Sequence, residues 1–306
     1  MFWKIFSSIC IPVTIPWLCF KFIKAFNYKR KFASLSGKVV LITGASSGLG
    51  EALAHAFYSQ GCKVVLAARR KDELERVKND LMQMHATVPT YPPVVVPVDL
   101  SELNSLPGQV SSVLAIFGHI DILINNGGIS YRGGVNETNI DVDIKVMLVN
   151  YFGQVALTKA VLPMMLARGC GHIVAVSSVQ GRIALPNRSA YAASKHALQA
   201  FSDTLRAEVS NHGIKVTVVS PGYIQTKLSL NALTGSGQTY GVMDTTTANG
   251  YESEYVAREI VKAVVNESPE LVISQLGGRF AIVIRTFMPS LYFWIMSKRA
   301  KNADKT

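Results

Sequence analysis

Short runs of aliphatic and β-branched residues recur along the chain at intervals that leave room for one helix between neighbours. They are VVLIT (39–43), KVVLAA (63–68), PPVVVPV (92–98), DILIN (121–125), HIVAVS (172–177), KVTVVS (215–220) and LVIS (271–274). Each run is apolar without alternation, as expected of strands covered on both faces in a parallel sheet. Seven such strands in one βαβ series predict a single α/β domain, a doubly wound, mostly parallel seven-stranded sheet over roughly 36–278. The least regular stretch, 227–252, is rich in Gly, Thr and Asn, and a loop of that length is expected to act as a lid.

Two apolar stretches at the ends break the pattern. Ile5–Phe20 (IFSSICIPVTIPWLCF) lies between Lys4 and Lys21 and continues to Phe26, close to the roughly 17–25 residues that a bilayer helix needs. With Lys-Phe-Ile-Lys-Ala-Phe in place of a small-residue cleavage site, an uncleaved anchor is favoured over a signal peptide, giving residues 1–35 as anchor and basic flank. The far segment, Phe280–Met296, carries Arg285 and Pro289 inside it, which argues against a span. Residues 279–306 read as an extension lying in the membrane interface, covering the substrate pocket, or packing in a dimer interface.

Composition sharpens this division. The chain has 306 residues and a formal charge of +11. Residues 1–38 hold seven Lys/Arg and no acid, and 279–306 hold six against one acid; the remaining 240 residues hold 18 basic and 19 acidic groups. A near-neutral body excludes a nucleic-acid groove, and the basic ends point to anionic membrane lipids. One basic residue precedes the apolar run and six follow it up to Lys38, which places the body on the cytosolic side. The four cysteines and six histidines show no metal-ligand or disulfide spacing, so no metal is expected.

Thr43-Gly44-Ala45-Ser46-Ser47-Gly48-Leu49-Gly50 joins the first strand to a helix. Glycines there let the backbone turn sharply beside a pyrophosphate seated on the helix N-terminus. The same residues fit a G-x-S-x-G nucleophile elbow, but an elbow follows later strands and needs a downstream His beyond the last of them, and His212 precedes a strand. At the end of the second strand stand Arg69 and Arg70, where an NAD-selective fold places an acid. Arginines there suit a 2′-phosphate, so NADP(H) is expected over NAD(H).

TGASSGLG, Asn125-Asn126-Gly127-Gly128, Asn150, Ser178, Tyr191 with Lys195, and Pro221-Gly222 occur together in the order and spacing of the short-chain dehydrogenase/reductases, which the chain resembles over about 36–275. The N-terminal stretches resemble most a membrane-anchored branch of that family. The resemblance implies a Rossmann-like fold and interconversion of a secondary alcohol and a ketone. Tyr191 is then the proton donor and acceptor, Ser178 binds the substrate oxygen, Lys195 binds the nicotinamide ribose, and Asn150 holds a water. It also carries cofactor contacts onto Gly44, Ser46, Ser47, Gly48, Leu49, Gly50, Asp99, Asn126, Pro221, Gly222 and Thr226. From the residues alone, Lys195 lies one helical turn from Tyr191, where an ammonium favours a phenolate.

The resemblance further implies a lipid ketone such as acyl- or alkyl-dihydroxyacetone phosphate, an endoplasmic reticulum membrane with the peroxisomal membrane as alternative, and a homodimer or homotetramer. A steroid or retinoid substrate is the alternative within the fold; a catalytically silent membrane scaffold is the alternative outside it. Gly128 departs from the family, which usually has Ala there.

Overall fold

The computed structural model describes residues 30–303, so the expected anchor lies outside the described residues. The sheet contains β1 (Val39–Thr43), β2 (Lys63–Ala68), β3 (Val94–Pro97), β4 (Ile122–Asn125), β6 (Gly171–Val176), β7 (Ile214–Pro221) and β9 (Glu270–Ile273), all parallel, in the order β3-β2-β1-β4-β6-β7-β9. The remaining two strands, β5 (Tyr131–Arg132) and β8 (Leu233–Thr234), form a separate parallel pair. β3 is shorter than its apolar run because Pro92 and Pro93 offer no N–H to the ladder.

The unbroken apolar runs are explained by the two cores. Val40 and Ile42 of β1 face one of them with Val64, Leu66, Ile122 and Ile124. Val39 and Leu41 face the other with Val65, Ala67 and Leu123. Each such fully buried side chain contributes about 1.5–3 kcal/mol relative to exposure. Chain order reverses between β1 and β4, so a crevice opens at the carboxyl ends of these strands.

Among the described residues ten α-helices follow the first strand: α1 (Gly48–Tyr58), α2 (Lys71–Met84), α3 (Leu106–Phe117), α4 (Ile140–Met147), α5 (Gly153–Arg168), α6 (Ser189–Glu208), α7 (Thr245–Ala248), α8 (Ser253–Val265), α9 (Leu276–Phe287) and α10 (Pro289–Ala303). A π-helical turn, Leu148–Phe152, joins α4 to α5. Their sum, Ile140–Arg168, is the one helix among the described residues long and apolar enough to cross a membrane. It is a core helix: Leu157, Val161 and Met165 are buried against the sheet.

The segment 227–252 is folded against the body. It holds β8 and α7, and its backbone bonds to itself from Tyr240 N to Ala232 O (2.7 Å) and from Gly241 N to Leu230 O (3.0 Å). At the far end, α9 begins at Leu276, so the boundary drawn at 278 falls inside a helix. Pro289 opens α10 where its missing N–H costs nothing. The two helices form a hairpin held by buried Tyr292, whose hydroxyl accepts from Ala184 N (3.0 Å) and donates to Ala184 O.

Candidate active site

One cavity of about 810 Å³ occupies the crevice, and every residue that the sequence placed in the site lines it except Asn150. The cofactor end is built from the turn after β1. Gly44 has φ +69°, and a Cβ there would stand 2.9 Å from both Asn126 Nδ2 and Gly127 Cα. A Cβ on Gly50 would stand 2.1 Å from Gly44 O. The loop therefore closes on itself through glycines at the start of α1, the setting that a pyrophosphate requires. Asn126 locks it, donating from Nδ2 to Thr43 O and from its backbone N to Thr43 Oγ1, both at 2.9 Å. Thr226 caps the cradle, with Cγ2 3.0 Å from the position of a Gly48 Cβ.

Arg70 reaches across this loop. Its Nη2 donates to Ser46 Oγ (3.1 Å) and Ser47 Oγ (3.3 Å), which holds the guanidinium at the loop. Arg69 and Arg70 are both exposed, and no acid stands at the end of β2. Asp99 is the one acid among the lining residues. Its Oδ1 is held by Ser101 N (2.9 Å) and Ser101 Oγ (2.6 Å), and although burial opposes ionisation these bonds keep the carboxyl below its ordinary value. These residues fit a dinucleotide cofactor.

At the other end β6, the π turn and α6 bring the chemistry together. Ser178 follows β6, with Oγ accepting from Gln180 N (3.1 Å) and donating to Pro221 O (3.4 Å); Pro221 ends β7. Tyr191, in the first turn of α6, lies close enough to Ser178 for the serine to favour its ionised form. Lys195 Nζ donates to Val176 O (2.9 Å) and lies 5.8 Å from the Tyr191 ring centroid. Asn150 is buried in the π turn; Oδ1 accepts from Ile129 N (2.8 Å), and Nδ2 donates to Ile129 O (2.9 Å) and Ser194 Oγ (3.1 Å). A π turn shifts the backbone ladder by one residue, which frees main-chain groups at a functional site. Here it lets one amide tie the helix to Ile129 in the loop between β4 and β5 and to α6.

The electrostatics differ from the expectation of a lysine-stabilised phenolate. Burial raises the Tyr191 hydroxyl above its ordinary value, while Ser178, Arg132 and Arg188 act in the other direction. Burial also lowers Lys195 to about 8. Beside Lys195, two arginines that no sequence motif marked, Arg132 and Arg188, thus also favour the ionised tyrosine.

The sequence profile described as short chain dehydrogenase matches residues 38–235. The chain belongs to the short-chain dehydrogenase/reductase family. A "dehydrogenase/reductase SDR family protein 7-like" from Anopheles gambiae is 58% identical over 306 residues, covering 100% of this chain and 96% of that one. "Dehydrogenase/reductase SDR family member 7B" from Bos taurus is 48% identical over 288 residues, 94% of this chain and 89% of the relative, the branch whose N-terminal stretches this chain resembles. Among solved structures, a short-chain dehydrogenase from Streptomyces avermitilis superposes with a TM-score of 0.70 at 28% identity, covering 87% of this chain and 99% of its own. An alcohol dehydrogenase from Thermococcus sibiricus complexed with 5-hydroxy-NADP gives 0.66 at 26% identity, covering 79% and 97%.

As a short-chain dehydrogenase/reductase the protein is an NAD(P)-dependent oxidoreductase acting on CH–OH groups, and the nucleophile elbow reading of Gly44–Gly48 is set aside. No histidine lines the cavity. The Gly128 departure has a local consequence: a Cβ there would stand 3.0 Å from Asn150 Oδ1 and 3.7 Å from Lys195 Nζ. Beyond the motifs, the cavity is lined by Arg132 and by α9 and α10 through Ala281, Met296 and Arg299. Arg299, in the basic end expected to face anionic lipid, reaches Tyr223 Oη with its Nη2 at 3.4 Å.

Proposed function

We propose that this protein is a membrane-associated, NADP(H)-preferring carbonyl reductase that interconverts a secondary alcohol and a ketone on a lipid-like substrate of the acyl- or alkyl-dihydroxyacetone phosphate type. The observation that carries the reading is one cavity holding Arg70 on the loop hydroxyls at one end and the Tyr191–Ser178 pair at the other. Between them the walls include Ile183, Leu185, Ala281 and Met296, which suit an aliphatic chain.

In the reducing direction a bound nicotinamide supplies the hydride. Ser178 O–H donates to the substrate carbonyl oxygen and fixes it beside Tyr191. The Tyr191 O–H, kept protonated by burial, delivers its proton as negative charge develops on that oxygen. Arg132 and Arg188 then stabilise the resulting phenolate until it is reprotonated. Lys195, now on Val176 O, would bind the ribose hydroxyls, and Asn150 ties the π turn to α6 through Ser194.

The anchor, the endoplasmic reticulum or peroxisomal membrane, the cytosolic body and a dimeric or tetrameric assembly belong to the same proposal. The basic, apolar hairpin of α9 and α10 supports membrane contact, with Phe287 and Trp294 exposed and Lys298 Nζ 3.8 Å over the Trp294 ring. Fluorescence titration of the full chain with NADPH and NADH tests the cofactor assignment. Tighter binding of NADPH is expected, and equal affinities contradict it. Digestion of the body by protease added to sealed microsomes is expected; protection contradicts the cytosolic placement.

A further inference from the structure

Beside Ser178 the cavity wall carries an amide that no protein group completes. Among the described residues, the buried side-chain oxygens that accept no hydrogen bond are Asn125 Oδ1, Gln154 Oε1, Gln180 Oε1 and Gln199 Oε1, and of these only that of Gln180 belongs to a residue lining the cavity. A buried amide oxygen left unmet costs stability, so one that borders a binding cavity marks a place where a bound molecule supplies the partner. Arg132, which lines the same cavity, is by contrast spent inside the protein. Its Nε donates to Asp244 Oδ2 (2.9 Å) and its Nη1 to Ser130 Oγ (2.6 Å) and Tyr131 O (2.8 Å), while Arg188 Nη2 stands 3.5 Å from the same Asp244 oxygen.

The backbone under Gln180 is fixed. Its N donates to Ser178 Oγ (3.1 Å), Gly181 N donates to Ser178 O (2.8 Å) and Ile183 N to Val179 O (3.1 Å), and Val179 and Ile183 are buried in one cluster with Tyr292. One short turn therefore holds both the serine that binds the carbonyl oxygen and, two residues on, the unmet amide. Ile183, Leu185, Ala281 and Met296 give the cavity its apolar wall, and in such surroundings an unpaired amide is more costly and a bond to it more selective.

We propose that Gln180 is a specificity-determining residue whose side-chain amide hydrogen-bonds an oxygen on the carbon next to the reacting carbonyl, so that the protein selects α-oxygenated ketones over plain aliphatic ones. An amide has one donor end and one acceptor end and turns about its last bond, so Oε1 serves a hydroxyl and Nε2 serves an ether or ester oxygen. An apolar wall discriminates weakly between an oxygen and a methylene. A site built to hydrogen-bond the oxygen rejects the carbon analogue, because its own buried polar group is then left unpaired.

This inference rests on the carbonyl-reductase reading, and its test separates the two. Octyloxyacetone and methyl decyl ketone differ only in an oxygen or a methylene at that position. Calorimetry of the NADP⁺-loaded full chain with each ketone reads binding without turnover, and NADPH consumption with each reads KM and kcat. Wild type should bind the ether ketone about threefold to tenfold more tightly than its carbon analogue, the size of one neutral hydrogen bond, with the difference in turnover falling on KM. Gln180→Met keeps the length of the side chain, removes the amide and leaves the backbone bond to Ser178 Oγ in place. It should bring the affinities for the two ketones together, with NADPH affinity retained as the control for folding; Gln180→Ala serves if the methionine variant does not fold. An ether preference that survives in the variants, equal losses for both ketones, or no preference in wild type overturns the role of Gln180. Turnover of both ketones alike removes that role and leaves the reductase, whereas amide-dependent binding of the ether ketone with no turnover removes the reductase and leaves Gln180 as the group that reads the oxygen.

Discussion

At the scale of single residues, Arg70 and His172 show how the same physics gives function in one place and stability in another. Arg70 is exposed, yet its guanidinium is positioned by two serine hydroxyls of the phosphate loop. Arg70→Ala is expected to weaken NADPH binding about 10–100-fold, the range of one or two charge-assisted contacts, and to leave NADH binding unchanged in the same titration. His172 is buried in β6, with Nε2 2.8 Å from Thr217 Oγ1, and burial lowers it from 6.5 to about 4. The unfolded chain gains a proton near pH 6.5 that the folded chain refuses until about pH 4. Stability therefore falls as pH drops through that window, by about 3 kcal/mol when complete. Urea denaturation at both ends of the window should show this loss in wild type and a smaller one in His172→Gln. The residues with recurring motifs were legible in the sequence because short spacing fixes their geometry: Tyr191 and Lys195 share one helix. Arg132, Arg188 and Asp244 were not, because residues far apart in sequence meet through β5, the start of α6 and the 227–252 segment, and no local pattern records that meeting.

At the scale of elements, the strand runs predicted the sheet because both faces of every strand needed covering; strand ends moved by one residue in β4, β6, β7 and β9, and most in β3, where Pro92 and Pro93 removed donors. The π turn at Leu148–Phe152 was not legible, since LVNYF is as apolar as the helix around it and only the side-chain bonds of Asn150 mark the shift. The glycines separate structural need from tolerance. In Gly50→Ala the new Cβ meets a backbone oxygen at 2.1 Å, so the turn must open. The melting temperature should drop and the stabilisation by added NADPH should disappear. In Gly128→Ala the neighbour is the Asn150 side chain at 3.0 Å, which has room to yield. That variant should fold and bind NADPH as wild type does, with kcat reduced only severalfold. Equal damage by the two substitutions would show that contact distance is not what selects glycine there.

For the molecule as a whole, the charge of +11 separates into a near-neutral body and two basic ends, and the second end also lines the cavity. The α9–α10 hairpin gives the cavity Met296 and Arg299 on one side and presents Phe287 and Trp294 on the other. A surface of that kind would place the mouth of the cavity at the bilayer, where a lipid ketone can enter without crossing water. With Trp3 and Trp17 replaced by Phe, full-length protein in vesicles of brominated anionic lipid should show quenching of Trp294. Unquenched Trp294 would place the hairpin away from the membrane. The helical extent of 279–306 and its contact with the turn at Ser178–Ile183 were hidden from the sequence, because Arg285 and Pro289 interrupt the apolar run; in the fold Arg285 lies 5.1 Å from the Phe293 ring and Pro289 merely starts a helix.

The most direct test of the account is single-turnover reduction of a long-chain acyl-dihydroxyacetone phosphate by the full chain loaded with NADPH, followed by loss of NADPH absorbance and by product analysis, in wild type and Tyr191→Phe. Wild type should convert the ketone to the secondary alcohol with one NADPH consumed per product. Tyr191→Phe should bind NADPH normally and lose about 10²–10⁴ in rate, the contribution of a positioned proton donor. A Tyr191→Phe protein that turns over at the wild-type rate would contradict the mechanism built on the Tyr191–Ser178 pair.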